Sequence, residues 1–205
     1  MARSEDIKTK LARLAFTQSL FKPQERDNGK KQFGCSLLFP KSEDLSALQN
    51  AALKAATDEW GEKAVQWIKD GIIHSPFLDG DGPQGLNKKT GERHAGFAGH
   101  RFIRVISGED YPPKLFNKAV RPISSQEELY SGCYGFAVVN AFTWENKEKG
   151  KGISFGVSMI QVAKDGEKLG GGGGASPEHF FNTIEDEGEA PAETKDGKGA
   201  AGLFS

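Results

Sequence analysis

The residues best suited to chemistry cluster in one stretch. Asp79-Gly80-Asp81-Gly82 is followed by Glu92, His94 and His100. A divalent metal on Asp79 and Asp81, helped by Glu92, would make a phage-type nuclease or recombination enzyme. The stretch begins like a calcium loop, but Pro83 interrupts it and the third ligand and terminal glutamate are missing. Aspartate and glycine are also the ordinary residues of turns. His94 and His100 are separated by a glycine-rich segment, unlike the close, regular pairs that bind metal. No serine stands in a nucleophile elbow. The glycine run at 170–174 lacks the lysine and the strand-to-helix setting of a phosphate loop. Cys35 and Cys133 are far apart and read as small buried thiols. The expectation is a protein with no catalytic residue, metal or cofactor; the carboxylate-pair nuclease is the alternative.

A second pattern interleaves cations with aromatic rings. Lys88, Lys89, Arg93 and His94 precede Phe97; Arg101, Phe102 and Arg104 follow. Tyr111 is near Lys114, Lys147, Lys149 and Lys151 crowd the segment after Trp144, and Lys30 and Lys31 open a strand. Single-stranded nucleic acid calls for this combination, because cations neutralise phosphates and ring faces stack bases. The expected phosphate contacts are Lys31, Lys88, Lys89, Arg93, Arg101, Arg104 and Lys149. The expected stacking residues are Phe97, Phe102, Tyr111, Tyr134 and Trp144. Duplex DNA or RNA would bind more weakly through the shared phosphate attraction.

Five strands must position these groups. LARLAF alternates Leu11, Arg13 and Ala15 with Ala12, Leu14 and Phe16. Asp27-Asn28-Gly29 makes a turn, and KQFGCSLLFP is a second strand ended by Pro40. Residues 42–70 change to helical spacing, with Ser42 as N-cap, Trp60 and Trp67 as core anchors, and Gly61 dividing the segment in two. The stretch 74–99, with six glycines and two prolines, is a long loop of the kind that carries function. HRFIRVIS is a third strand. YGFAVVNAFTW is a fourth, large on its even positions and small on its odd ones. Its Phe136, Val138 and Phe142 are expected in the core, with Tyr134 and Trp144 at the rim. GISFGVSMIQVA is the fifth strand. Five strands with a helical insertion between the second and third suit a mainly β (α+β) Greek-key barrel of the OB type; a split sheet with a packed helix is the competing arrangement.

Charge divides the chain. Residues 185–205 hold six acids and two lysines, a balance of −4, which leaves 25 bases and 22 acids, +3, for residues 1–184. The expected organisation is a binding domain over 1–169, a Gly-rich hinge and short helix over 170–184, and an acidic tail over 185–205 too poor in apolar residues to fold alone. Glu185, Asp186 and Glu187 with the terminal Leu203 and Phe204 suggest a docking arm for replication or recombination proteins, or a competitor for the body's own basic groove. No apolar run approaches the ~20 residues of a membrane span, and the N-terminus carries acids where a secretory signal has none. A cytoplasmic setting with no membrane partner is expected.

The order of LARLAFTQSLFKP, FGCSLLFPK, HSPFLDGD, HAGFAGHRFIRV, PPKL, RPISSQEELYSGCYGFAVVNAFTW and GISFGVSMIQVAKDGEKLGGG, over roughly residues 9–185, resembles a family of phage-encoded single-stranded DNA-binding proteins with an OB-type core. The sequence departs from related patterns in ending on Ser205, with Phe204 penultimate, and in placing its helices before the third strand. The resemblance implies binding without catalysis: coating and protecting single strands in phage replication, recombination or repair, and recruiting partners through the tail.

Overall fold

The computed structural model describes residues 1–25 and 29–170. The hinge, short helix and acidic tail expected after Gly170 lie outside the described residues, as do Asp27 and Asn28 of the expected turn.

Five strands form a closed ring: β1 (Ala12–Ala15), β2 (Lys31–Pro40), β3 (His100–Gly108), β4 (Tyr134–Asn146) and β5 (Gly150–Lys164). β1 pairs antiparallel with β2, and β2 with β3. β3 pairs parallel with β5, β5 antiparallel with β4, and β4 returns to β1. Every barrel strand thus has two neighbours, which removes the exposed edges of an open sheet. Short strands add to the ring: Ile7–Lys8 on β4, Ile73–His74 and Lys114–Phe116 on β5, Gln24–Glu25 on β2, and Phe77–Asp79 on β3.

Between β2 and β3 stand helices α1 (Ser46–Trp60) and α2 (Lys63–Lys69), separated at Gly61, which has φ +65°. The first turn begins later than Ser42. Asp44 serves it instead, its carboxylate accepting the Ser46 N–H at 2.9 Å and the Ser46 hydroxyl at 3.0 Å. α1 presents Ala51, Ala52, Ala55 and Ala56 to the core and lies against β4. Trp60 and Trp67 pack at the edge of that core.

The core reverses the expectation for β4. Its small residues Gly135, Ala137, Val139, Ala141 and Thr143 are buried, whereas Phe136, Val138 and Phe142 are half-exposed on the outside. β5 does the opposite, burying Ile153, Phe155 and Val157. Register explains both. Ala141 faces Phe155, Phe142 faces Ser154, and Trp144 faces Gly152, so a large side chain meets a small one at each pair. A Cβ on Gly152 would come within 2.2 Å of the Trp144 ring, so the indole can lie flat only over glycine.

A second, smaller core forms outside the barrel. The loop over 80–99 folds across β2 and β3 and brings Phe97 onto Leu38, Phe102 and Ala15. The loop packs tightly on itself: a Cβ on Gly85 would sit 2.1 Å from the Gly80 carbonyl. Phe97 and Phe102, expected to stack on bases, are each 1 % exposed and meet edge-to-face at 4.8 Å. No base can reach them; they hold the loop. Phe97→Ala or Phe102→Ala should therefore cost ~3–5 kcal/mol of stability in urea denaturation, as for any buried aromatic. Normal stability with weakened DNA binding in both variants would contradict this assignment.

Candidate nucleic-acid interface

Where the loop stops, the outer face of the barrel is open. Asn140 of β4, Gly156 of β5, Ile106 of β3 and Gly34 of β2 form one row across four strands. Two hollows meet on this row and share Ile106. The larger, about 840 Å³, runs over Gly34, Ser36 and Arg104 to Phe16, Lys88 and His94. The smaller, about 580 Å³, runs over Gly156 and Asn140 to Phe142, Arg3, Tyr111 and Lys114. Together they make a groove with a small-residue floor, aromatic groups at both ends, and cations along its walls.

Phe16 is the most strained of these residues. It ends β1 with φ +60°, a left-handed conformation that is a genuine outlier for a bulky side chain. The ring is held edge-on to His94 at 5.0 Å and lies 5.8 Å from Phe97, yet stays 43 % exposed. Strain of this kind, about 1–3 kcal/mol, persists where surrounding structure holds it and is common at binding sites. At the other end Tyr111 is 76 % exposed, its carbonyl accepting the Ser107 hydroxyl. The Arg3 guanidinium stands 5.8 Å over the Phe142 ring.

The expected site residues divide into several groups. Lys88, Arg104 and Tyr111 line the groove. Lys31 is at its edge, at the start of β2 and 3.6 Å from Glu109. Lys89 is exposed in the loop, where its N–H donates to Asn87. Two arginines have structural duties instead. Arg93 donates to the carbonyls of Gly80 and Asp81, fastening the loop. Arg101 is on the opposite face of β3 from Arg104 and donates to the carbonyls of Lys41 and Glu43. Tyr134 is away from both hollows, under Lys164 at 4.5 Å. Trp144 is on the same outer face as Phe142 but beyond the smaller hollow; its ring N–H donates to the Ser154 hydroxyl and its ring stacks on His74 at 5.9 Å. Lys149 is in the adjoining turn, its carbonyl 3.1 Å from His74.

Arg3, Phe16, His94, Ile106, Lys114 and Phe142 are groove residues that the sequence reading left out of the site. A positive φ at Phe16 has no sequence signal. Arg3 reaches the groove only because it bridges to Phe142 of β4.

The acidic pair has a different role from the one expected of a nuclease. Lys41 sits between Asp79 at 2.9 Å and Asp81 at 2.7 Å. Asp81 also accepts the Gly99 N–H, at 3.1 Å to one oxygen. Its ammonium occupies the position a dication would need, and among the described residues no group of three or more His, Cys, Asp or Glu could hold a metal. The clamp ties the end of β2 to both ends of the loop. The Lys41 hydrogen bond holds both carboxyls below their ordinary range, and the two aspartates hold the ammonium above its own. Burial raises both cysteine thiols, leaving them unreactive.

Residues 5–191 match the family described as Enterobacter phage Enc34, ssDNA-binding protein. A curated relative, putative protein p50 of Acyrthosiphon pisum secondary endosymbiont phage 1, is 31 % identical over 182 residues, covering 85 % of this chain and 91 % of its own. Among solved structures, the bacteriophage Enc34 single-stranded DNA-binding protein in complex with ssDNA aligns with TM-score 0.57 at 22 % identity, covering 80 % of this chain and 89 % of that one. The single-stranded DNA-binding protein gp2.5 of bacteriophage T7 aligns with TM-score 0.54 at 10 % identity, covering 92 % and 100 %. The two structural matches share the fold.

The clamp generates a pH prediction. Depressed carboxyl values mean that its contribution is complete above the unfolded-chain value of about 3.9 and is lost as pH falls through the lower folded values. Acidification should lower hydrogen-exchange protection at the Gly99 amide before it affects Ile103 or Val105. Asp81→Ala should do the same at neutral pH; an unchanged Gly99 protection factor would show that the clamp does not hold the loop.

Proposed function

The chain belongs to the Enterobacter phage Enc34 single-stranded DNA-binding protein family, and from that premise we infer that it draws single-stranded DNA across the outer face of β2, β3 and β5. It is a single-stranded DNA-binding protein of phage type. The observation that carries the path is the open row Asn140–Gly156–Ile106–Gly34 between two aromatic ends. This is the strand-two and strand-three face with which OB-folds receive oligonucleotides. Bases stack on Phe16 at one end and on Tyr111 or Phe142 at the other. Phosphates meet Lys88, Arg104, Lys114 and Arg3, with Lys31 and Lys89 at the margins. Trp144 and Lys149 extend the path along β4 for longer strands.

The role is coating without catalysis, in replication, recombination or repair within the infected host's cytoplasm. Lys41 seated between Asp79 and Asp81 supports a non-enzymatic reading. Among the described residues, no helix is long and apolar enough to cross a membrane. Duplex DNA and RNA share the phosphate attraction but lose part of the stacking, so they bind more weakly. The acidic residues Glu185, Asp186 and Glu187 compete with DNA for the groove, and Leu203 and Phe204 serve replication or recombination partners.

Anisotropy titration of a labelled oligothymidine over a range of salt tests this. Binding should weaken with salt, and Arg104→Ala should flatten the log–log slope by ~0.7, one phosphate's share on a single strand. Phe16→Ala should cost ~1–3 kcal/mol, the worth of one stacked base. Salt-independent binding, or none, would overturn the assignment.

A further inference from the structure

Just past the end of the groove the outer face of β4 and β5 turns apolar. Asn140 and Ser158 line the smaller hollow; the next outward residues, Val138 and Met159, face each other in register and line a separate hollow of about 240 Å³. Phe136 and Ile160 complete its floor, and Phe116 and Val120 its wall. Met159 is 37 % and Val120 64 % exposed. Val120 also has φ +58°, which a β-branched residue adopts only under constraint. The structure therefore holds an apolar side chain out at the lip of an apolar hollow.

The surroundings are cationic. The Lys8 ammonium is 4.4 Å from the Phe136 ring centre, and Lys164 is 4.5 Å from that of Tyr134 on the same strand. Lys118 follows the Phe116 wall and is 3.6 Å from Asp165. An apolar slot rimmed by lysines suits an apolar side chain carried on an acidic peptide. The chain itself supplies one: the 35 residues after Gly170 end in Leu203-Phe204-Ser205, behind the six acids of the 185–205 segment. At ~3.3 Å per extended residue this segment can span over 100 Å, so reach is no obstacle.

We propose that this hollow is the seat of the chain's own C-terminal tip, with Leu203 and Phe204 inserted against Val138 and Met159 and the preceding acids facing Lys8, Lys118 and Lys164. Because the hollow adjoins the groove at Asn140 and Ser158, a seated tip holds the acidic segment at the end of the DNA path. Competition with DNA then becomes intramolecular and gains the effective concentration of a tethered ligand. This deepens the reading of the groove as the DNA path; the seat itself does not depend on it.

The test uses the full chain carrying Ser205→Cys with a nitroxide label. Cys35 and Cys133 are buried, so labelling is confined to the new thiol. The Met159 methyl signal, assigned with Met159→Leu, should broaden at low salt and recover on adding Leu203→Ala and Phe204→Ala. The same two substitutions, without the label, should tighten oligothymidine binding severalfold at low salt. Broadening of the Ile106 methyl in place of Met159 would put the tip in the groove and overturn the proposal, as would no broadening at either. Loss of DNA binding in Phe16→Ala and Arg104→Ala tests the groove separately, so the two ideas fail independently.

Discussion

A barrel of five strands has a narrow interior, and that limit on volume governs much else in this protein. Phe155, Ile153 and Val157 from β5 and Leu37, Phe39, Ile103 and Val105 from β2 and β3 already fill it. α1 adds a row of alanines that must approach β4 closely. β4 can then turn only Ala137, Val139, Ala141 and Thr143 inward. Interiors are packed to near-crystalline density, and a second row of aromatic rings would overfill this one. The rings of Phe136, Phe142 and Trp144 are consequently displaced to the outside. The aromatic surface of a binding protein is here a by-product of how its core is packed.

The outer face divides along the same logic. An apolar outer surface as long as β2 and β3 needs cover, and the loop over 80–99 covers the Leu38–Phe102 half with Phe97. It ends at the clamp of Lys41 with Asp79 and Asp81. The remaining half, from Arg104 and Ser36 to Ile106 and Gly34, stays open as the groove. Three exposed charges thus set where cover ends and the groove begins, although none of them lines it.

Much of the fold could be read from the sequence because period is a local property. The five strands and the divided helical segment follow from alternation, from 3.6-residue spacing and from Gly61. The inside and outside of β4 could not be read from hydrophobicity alone, since the larger face looks like the better core. A signal was present in the pairing: β4 laid against β5 sets Ala141 opposite Phe155 and Trp144 opposite Gly152, which fits only one orientation. The site was harder. Phe97 and Phe102 have the neighbours of stacking residues, and only the loop's folding back makes them core. Arg93 and Arg101 look like phosphate ligands because sequence shows charge and hides partners; both donate to backbone carbonyls. Phe16 was invisible because its role rests on a backbone angle.

The cations separate by what holds them. Lys41, Arg93 and Arg101 are bound to carboxylates or carbonyls, and their donors are spent on keeping the chain in place. Arg3 and Lys8 are held against the outward rings of β4 instead, at 5.8 Å over Phe142 and 4.4 Å over Phe136. A ring face attracts a cation without neutralising it, so such a group keeps its full charge while losing freedom it would otherwise lose on meeting a phosphate or an acidic peptide. The displaced aromatics of β4 therefore act twice. They offer faces for stacking, and they set cations in position along the same surface, which is how a limit on core volume comes to shape a polyanion-binding face.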